Sequence, residues 1–162
     1  MRSMLVLLCS LFVSVTFATN NEISGRVVDV LNGDTIIIRD AQQTEHRIYL
    51  YGIDAPELKQ ISGMESRDYL DRLLFTRTYQ VKVVIESRAK NDNIIGTVYA
   101  TEQNSSQYAD INGMMVMAGH AWASRHSGKR YQAIEQIARN RKTGLWANPK
   151  PVAPWEWRKK HK

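Results

Sequence analysis

The chain has one cysteine in 162 residues, Cys9, and four prolines. Cys9 lies inside an apolar run from Met4 to Phe17. If that run is removed, no thiol is left, which excludes disulfides, cysteine metal sites and a thiol nucleophile. The four histidines, His46, His120, His126 and His161, have no metal-ligand spacing and read as surface or packed residues. No glycine-rich phosphate loop, no Gly-x-Ser-x-Gly elbow and no internal repeat occurs. The apolar run is too short to span a bilayer and ends in polar sequence.

Met1-Arg2, the apolar run and the small residues Thr16 and Ala18 together read as a secretory signal peptide over 1–18. The expected location is therefore outside the cytoplasm, periplasmic or secreted, with no membrane anchor left after cleavage. The mature chain of about 144 residues is one ordinary domain, large enough for a real core. A short linker over 19–24, a folded domain over 25–146 and a basic, tryptophan-containing arm over 147–162 are expected. Loss of Arg2 takes the formal charge from +6 to +5, since residues 1–18 hold no acid. A basic exported domain suits a polyanion such as nucleic acid or an anionic cell surface, or simply serves solubility.

The pattern predicts strands over Gly25–Val30, Thr35–Arg39 and His46–Tyr51, with Asn32-Gly33 as a tight turn between the first two. A helix is predicted over Ser62–Phe75, with Ser62 as cap, Glu65 completing a capping box and Met64, Tyr69, Leu70, Leu73 and Leu74 forming its apolar face. Two strands follow, Tyr79–Glu86 and Ile94–Thr101. Asp110 caps a short helix through Met117, and Ala121–Ser124 reads as a brief strand. Lys129–Lys142 is a helix with Gly144 placed to end it, and the rest reads as an extended arm. The fold class is α+β, β-rich: a five-stranded OB-fold barrel with about three packed helices.

Two acidic motifs stand out, Asn32-Gly33-Asp34-Thr35 and Gly52-Ile53-Asp54-Ala55-Pro56-Glu57. Singly, Asp34 reads as a turn residue and Asp54 as a turn or cap residue. Three acids beside strand ends in one small barrel, however, repel one another unless a cation joins them. Oxygen-only ligands suit calcium or magnesium and not zinc. One carboxylate left free beside such an ion can serve as a base in metal-assisted phosphodiester hydrolysis.

These motifs resemble those of the thermonuclease (staphylococcal or micrococcal nuclease) family. The resemblance runs on through Ile94-Ile95-Gly96-Thr97-Val98-Tyr99, Ala118-Gly119-His120-Ala121-Trp122, Ala138-Arg139 with Gly144-Leu145-Trp146, and Pro154-Trp155-Glu156-Trp157-Arg158. It covers about residues 25–158, and the Gly-Ile-Asp-Ala-Pro-Glu hexapeptide is its most specific part. The resemblance implies a nuclease that uses calcium in preference to magnesium, cutting DNA and RNA to 3′-phosphate ends. Asp34 and Asp54 would hold the ion with the backbone carbonyl of Thr35, and Glu57 would act as general base or orient the attacking water. A monomer and single-stranded or frayed substrates are expected.

The chain also departs from that family. Two arginines usually grip the phosphate. The position five before Asp54 holds Tyr49, and the position before Ile94 holds Asn93. Asn32 replaces a common aspartate. Arg47 lies two residues before Tyr49 and so faces the same way on a strand; it is the candidate catalytic substitute. Arg88 and Lys90 precede Asn93 and are candidate substrate-binding cations beside Tyr49 and Asn93. All three cations can also be solvated surface charges, Arg88 and Lys90 more readily than Arg47. The tail groups Trp155, Trp157, Arg158, Lys159, Lys160 and Lys162 either meet single strands by stacking and charge or pack, leaving only the lysines free. Two functions follow: a nuclease, or a weak or inactive nuclease-like module that binds nucleic acid or a protein partner.

Overall fold

The computed structural model describes residues 21–102, 105–125 and 127–161. The expected signal peptide, His126 and Lys162 lie outside them. Strand β1 (Glu22–Asn32) starts inside the expected linker, pairing Glu22 with Val84 and donating to the barrel wall. Strands β2 (Thr35–Arg39) and β3 (Glu45–Leu50) complete the meander. Asn32 pairs with Thr35, so the turn itself is Gly33-Asp34, one residue later than the Asn-Gly signal suggested. The two-residue strand β4 (Ile53–Asp54) and helix α1 (Gly63–Phe75) precede strand β5 (Gln80–Arg88) and strand β6 (Ile94–Thr101).

The barrel order is β3-β2-β1-β5-β6, closed by parallel pairing of Ile48, Tyr49 and Leu50 with Ile94, Ile95 and Gly96. Closure leaves the five strands without a free hydrogen-bonding edge between them. The alternating residues Ile36, Ile38, Ile48, Val83, Ile94 and Val98 fill the interior and are fully or almost fully buried. This is the five-stranded OB-type barrel that the sequence predicts.

A sixth strand, β7 (Tyr108–Asp110), pairs with β6 outside the barrel order and was not expected, because three residues are too few to show an alternation. Helix α2 (Ile111–Met117) starts as predicted, with Asp110 Oδ1 accepting the Gly113 N–H at 2.9 Å. Strand β8 (Trp122–Ala123) pairs with β4, setting Asp54 opposite Trp122. Helix α3 (Lys129–Arg141) ends on Lys142, which itself takes the left-handed conformation (φ 53°). Gly144 is needed for another reason: a methyl there would overlap the Gly119 carbonyl oxygen.

Two helical details differ from expectation. Ser62 stands before α1 but is left-handed (φ 67°) and its hydroxyl caps nothing. The chain must instead turn tightly, because Gly63 packs against the Glu57 carbonyl, where a side chain would collide. Met64 is exposed, and Ser66 takes its place on the buried face of α1. The tail is not simply extended: it ends in helix α4 (Pro154–Lys160), with Pro154 in its first turn. Pro at that position wastes no hydrogen bond and presets φ for the helix. Trp155 packs on a second small core of Trp122, Ala138, Leu145 and Trp146, so this tryptophan is packed rather than free.

Candidate active site

The site is assembled by short-range turns that long-range packing holds in register. Asn32 Oδ1 accepts the Asp34 N–H at 3.0 Å, and the Asp34 carbonyl accepts the Leu50 N–H at 2.8 Å. Gly33 is pressed against Ser66 and Ala55, leaving no room for a side chain. Ser66 is fixed in turn by donating to the His120 carbonyl at 2.6 Å. The turn bearing Asp34 is thus clamped between α1 and the second motif.

The second motif is held as firmly. The Tyr51 N–H donates to the Gly96 carbonyl at 2.8 Å, and the Tyr51 carbonyl accepts from Nδ2 of the fully buried Asn112 at 2.9 Å. Gly52 follows at φ +75°, its α-carbon against the Tyr131 ring. These contacts deliver Asp54 to the barrel rim. Glu57 sits on the loop before α1. Its N–H donates to Gln60 Oε1 at 3.2 Å, and Gln60 Nε2 donates to the Val152 carbonyl at 2.6 Å.

The two motifs meet directly. Asp34 Oδ2 accepts the Ala55 N–H at 2.7 Å, and Asp34 Oδ1 accepts the Thr35 hydroxyl at 2.9 Å. Burial pushes the Asp34 carboxyl up from 3.8 to about 6; those two hydrogen bonds oppose the rise, and the charges of Asp54 and Glu57 add to it. Asp54 and Glu57 therefore lie near enough for their charges to act on Asp34, and Thr35, the next residue, pairs with Tyr49.

The cations expected there behave differently. Arg47 is exposed on the outer face of β3, opposite Ile37. Arg88 and Lys90 are exposed at the end of β5 and in the turn after it. None of the three forms an ion pair among the described residues. Asn93 adjoins Ile94, the partner of Ile48, and carries no charge. The guanidinium that does reach the acids is Arg158 of α4. Its Nη2 donates to Asp54 Oδ2 at 2.7 Å, and its Nη1 donates to Asp54 Oδ1 at 3.0 Å and to Glu57 Oε1 at 2.8 Å. Hydrogen bonding to Asp54, then to Glu57, keeps it firmly protonated against the opposing effect of burial. Sequence reading left Arg158 among the tail cations. It lies 104 residues from Asp54, and no spacing rule spans that distance.

The donor set fits a hard divalent cation. Its carboxylates are oxygen donors, and a cation would relieve the repulsion from Asp54 and Glu57 that adds to the effect of burial on Asp34. Among the described residues no three acidic, histidine or cysteine side chains close into a metal-holding cluster. Both oxygens of Asp54 are engaged by Arg158 instead. The described histidines stay outside the pocket: His46 pairs with Asp40 at 2.7 Å, His120 stacks on Tyr69 and His161 stacks on Trp157.

A small OB-type barrel with carboxylates gathered near one end is the structural class that this chain presents. Comparison with known proteins makes the assignment. The profile described as "Staphylococcal nuclease homologue" matches residues 47–148. The chain is 38% identical over 145 residues to "Micrococcal nuclease" of Shigella flexneri, covering 85% of this chain and 82% of that one. It is 39% identical over 139 residues to an "Uncharacterized endonuclease" of Escherichia coli, covering 85% and 86%. A "Probable staphylococcal-like nuclease CAN2" of Oryza sativa subsp. japonica is 34% identical over 117 residues, 71% of this chain and 30% of that protein. The chain belongs to the staphylococcal nuclease homologue family and is a nuclease, with nucleic acid as its substrate.

Proposed function

We propose that this protein is an exported, calcium-dependent nuclease that hydrolyses DNA and RNA to 3′-phosphate ends. The observation that carries this reading is the hydrogen bond from the Ala55 N–H to Asp34 Oδ2, which joins the two acidic motifs into one pocket. Asp34, Asp54 and the Thr35 carbonyl would hold the ion, in line with their oxygen-only chemistry. When bound, calcium would polarise the phosphate and offset its charge.

The chain's own groups do the rest. Glu57 stands on a braced loop, and its side chain is about one-third exposed, so water can reach it. It takes the proton from the water that attacks phosphorus in line. The bond from phosphorus to the 5′-oxygen breaks, the 5′-oxygen takes a proton from solvent and leaves as the hydroxyl, and the phosphate stays on the 3′-oxygen. Tyr49, paired with Thr35, would offer its hydroxyl to substrate. Arg47, two residues before Tyr49 on β3, would attract the backbone by charge. Arg88, Lys90 and Asn93 flank the start of β6 and would act at longer range. A single strand or frayed end fits best, since an exposed rim pocket meets one backbone at a time. A monomer is the expected state. Export rests on the Met1–Ala18 pattern.

The test uses the mature protein with single-stranded DNA, in calcium or in chelator, beside Glu57→Gln. Calcium-dependent cleavage should appear, and the Glu57→Gln protein should lose roughly 10²–10⁴-fold in rate, the span typical of general-base catalysis. Equal rates for the two proteins would overturn the role given to Glu57.

A further inference from the structure

The acid pocket receives its guanidinium from the opposite end of the chain. We infer that Arg158, presented by helix α4, is the phosphate-gripping residue of this nuclease, replacing the arginines that Tyr49 and Asn93 displace. The inference rests on the nuclease reading above and adds a substrate contact to it.

Four observations support it. First, position: Arg158 bonds both Asp54 and Glu57, so it stands where the scissile phosphate must approach the base. Among the described residues it is the only arginine or lysine ion-paired to either acid. Second, geometry: two nitrogens of one guanidinium take two oxygens of one carboxylate, and the same fork matches two oxygens of a phosphate. Those three hydrogen bonds use three of the five N–H groups an arginine carries, leaving donors for a ligand.

Third, access: the Arg158 side chain is 45% exposed, so it faces solvent from within the pocket. Fourth, support: α4 is not a loose tail. Pro154 is buried, Trp155 packs on the second core, and Gln60 ties the preceding Val152 to the Glu57 loop. The element carrying the guanidinium and the loop carrying the base thus share one brace.

These contacts define a handover. Without substrate, Arg158 bonds Asp54 and Glu57 and offsets one of their two negative charges. An arriving phosphodiester offers the guanidinium a second set of anionic oxygens. The grip then passes from Asp54 and Glu57 to phosphate, which leaves Asp54 open to the ion and Glu57 open to accept a proton. Arg158 both binds the phosphate and stabilises its growing charge in the transition state.

The experiment has two arms. In the first, Arg158→Ala and Arg158→Lys are assayed for calcium-dependent cleavage beside wild type and Arg141→Ala, an exposed change of equal charge at the end of α3. Arg158→Ala should lose about 10²–10³-fold in kcat/KM, the loss typical of one such donor. Arg158→Lys should recover part of it, and Arg141→Ala should match wild type. In the second, binding of a fluorescent single-stranded DNA oligonucleotide is measured in chelator on the Glu57→Gln background. Adding Arg158→Ala should weaken binding and reduce the slope of log affinity against log salt by about 0.7, one phosphate contact on a single strand.

Thermal melting checks that each variant is folded, and Arg158→Lys carries the test if the alanine variant is not. A rise in cleavage for Arg158→Ala would overturn the proposal and mark the contact as an inhibitory latch. Unchanged cleavage and binding would overturn it and leave a purely structural ion pair. If wild type shows no calcium-dependent cleavage, the metal and base assignments fail, while the binding arm still decides whether Arg158 holds phosphate.

Discussion

Asp34 is the residue where the competing forces are easiest to weigh. Its carboxyl is pushed up to about 6, chiefly by burial, although the Ala55 N–H and the Thr35 hydroxyl both favour its charged form. The unfolded value is about 3.8, so the folded state binds protons more tightly. The resulting stability is fully present below 3.8 and is lost as pH rises through about 6. In chelator, the melting temperature of wild type should therefore fall relative to Asp34→Asn across that window. Adding calcium near neutral pH should raise wild type more than Asp34→Asn. Parallel melting curves at every pH would show that Asp34 does not titrate there. The acid itself is plain in the sequence. Its perturbation is not, because it comes from burial among residues distant in the chain, with Ser66 of α1 and the Ala55 side chain packed against the neighbouring Gly33.

At the scale of elements, the loop from Glu57 to Gly63 and helix α4 act as a pair. Gln60 is 7% exposed and holds both, accepting from the Glu57 N–H and donating to the Val152 carbonyl. Gln60→Ala strands two backbone groups, which typically costs about 1–3 kcal/mol each where no water replaces the lost partner. For a domain of this size, a melting temperature lower by roughly 2–4 °C per kcal/mol is expected. Cleavage should fall further than the stability loss explains, because both Glu57 and Arg158 lose their brace. A variant with normal turnover at a temperature where it is fully folded would show that the brace is dispensable. Most elements were legible from alternation and turn chemistry: β2 and β6 have the predicted ends, and Asp110 caps α2 as its spacing suggested. The cap at Ser62 failed because tertiary packing of Gly63 on Glu57 sets a left-handed turn that a capping box does not allow.

For the whole molecule, the barrel and the charge answer different questions. Closure through β3 and β6 brings both acidic motifs to one rim and leaves the cations Arg47, Arg88 and Lys90 exposed. The net charge of +6 for the full chain favours polyanions without choosing among sequences. Binding of single-stranded DNA should weaken steadily with salt, with a log–log slope near −0.7 per phosphate contacted. Titration by fluorescence anisotropy at several salt concentrations measures it, and salt-independent affinity would contradict a charge-led contact. Oligonucleotides of different sequence should bind with similar strength, since charge and stacking carry little sequence information.

The sequence by itself determined the barrel, its acids and the family. Strand periodicity and turn residues act over a few neighbours, and the hexapeptide around Asp54 and Glu57 is written contiguously. It also showed what was missing, the two arginines at Tyr49 and Asn93. Only the tertiary structure decided which cation meets the acids. Arg47, two residues from Tyr49, was the nearest substitute along the chain, yet the guanidinium in the pocket is Arg158, 101 residues from Glu57. Packing of Trp155 and the Gln60 bridge bring it there, and such contacts depend on where surfaces meet rather than on how residues are spaced.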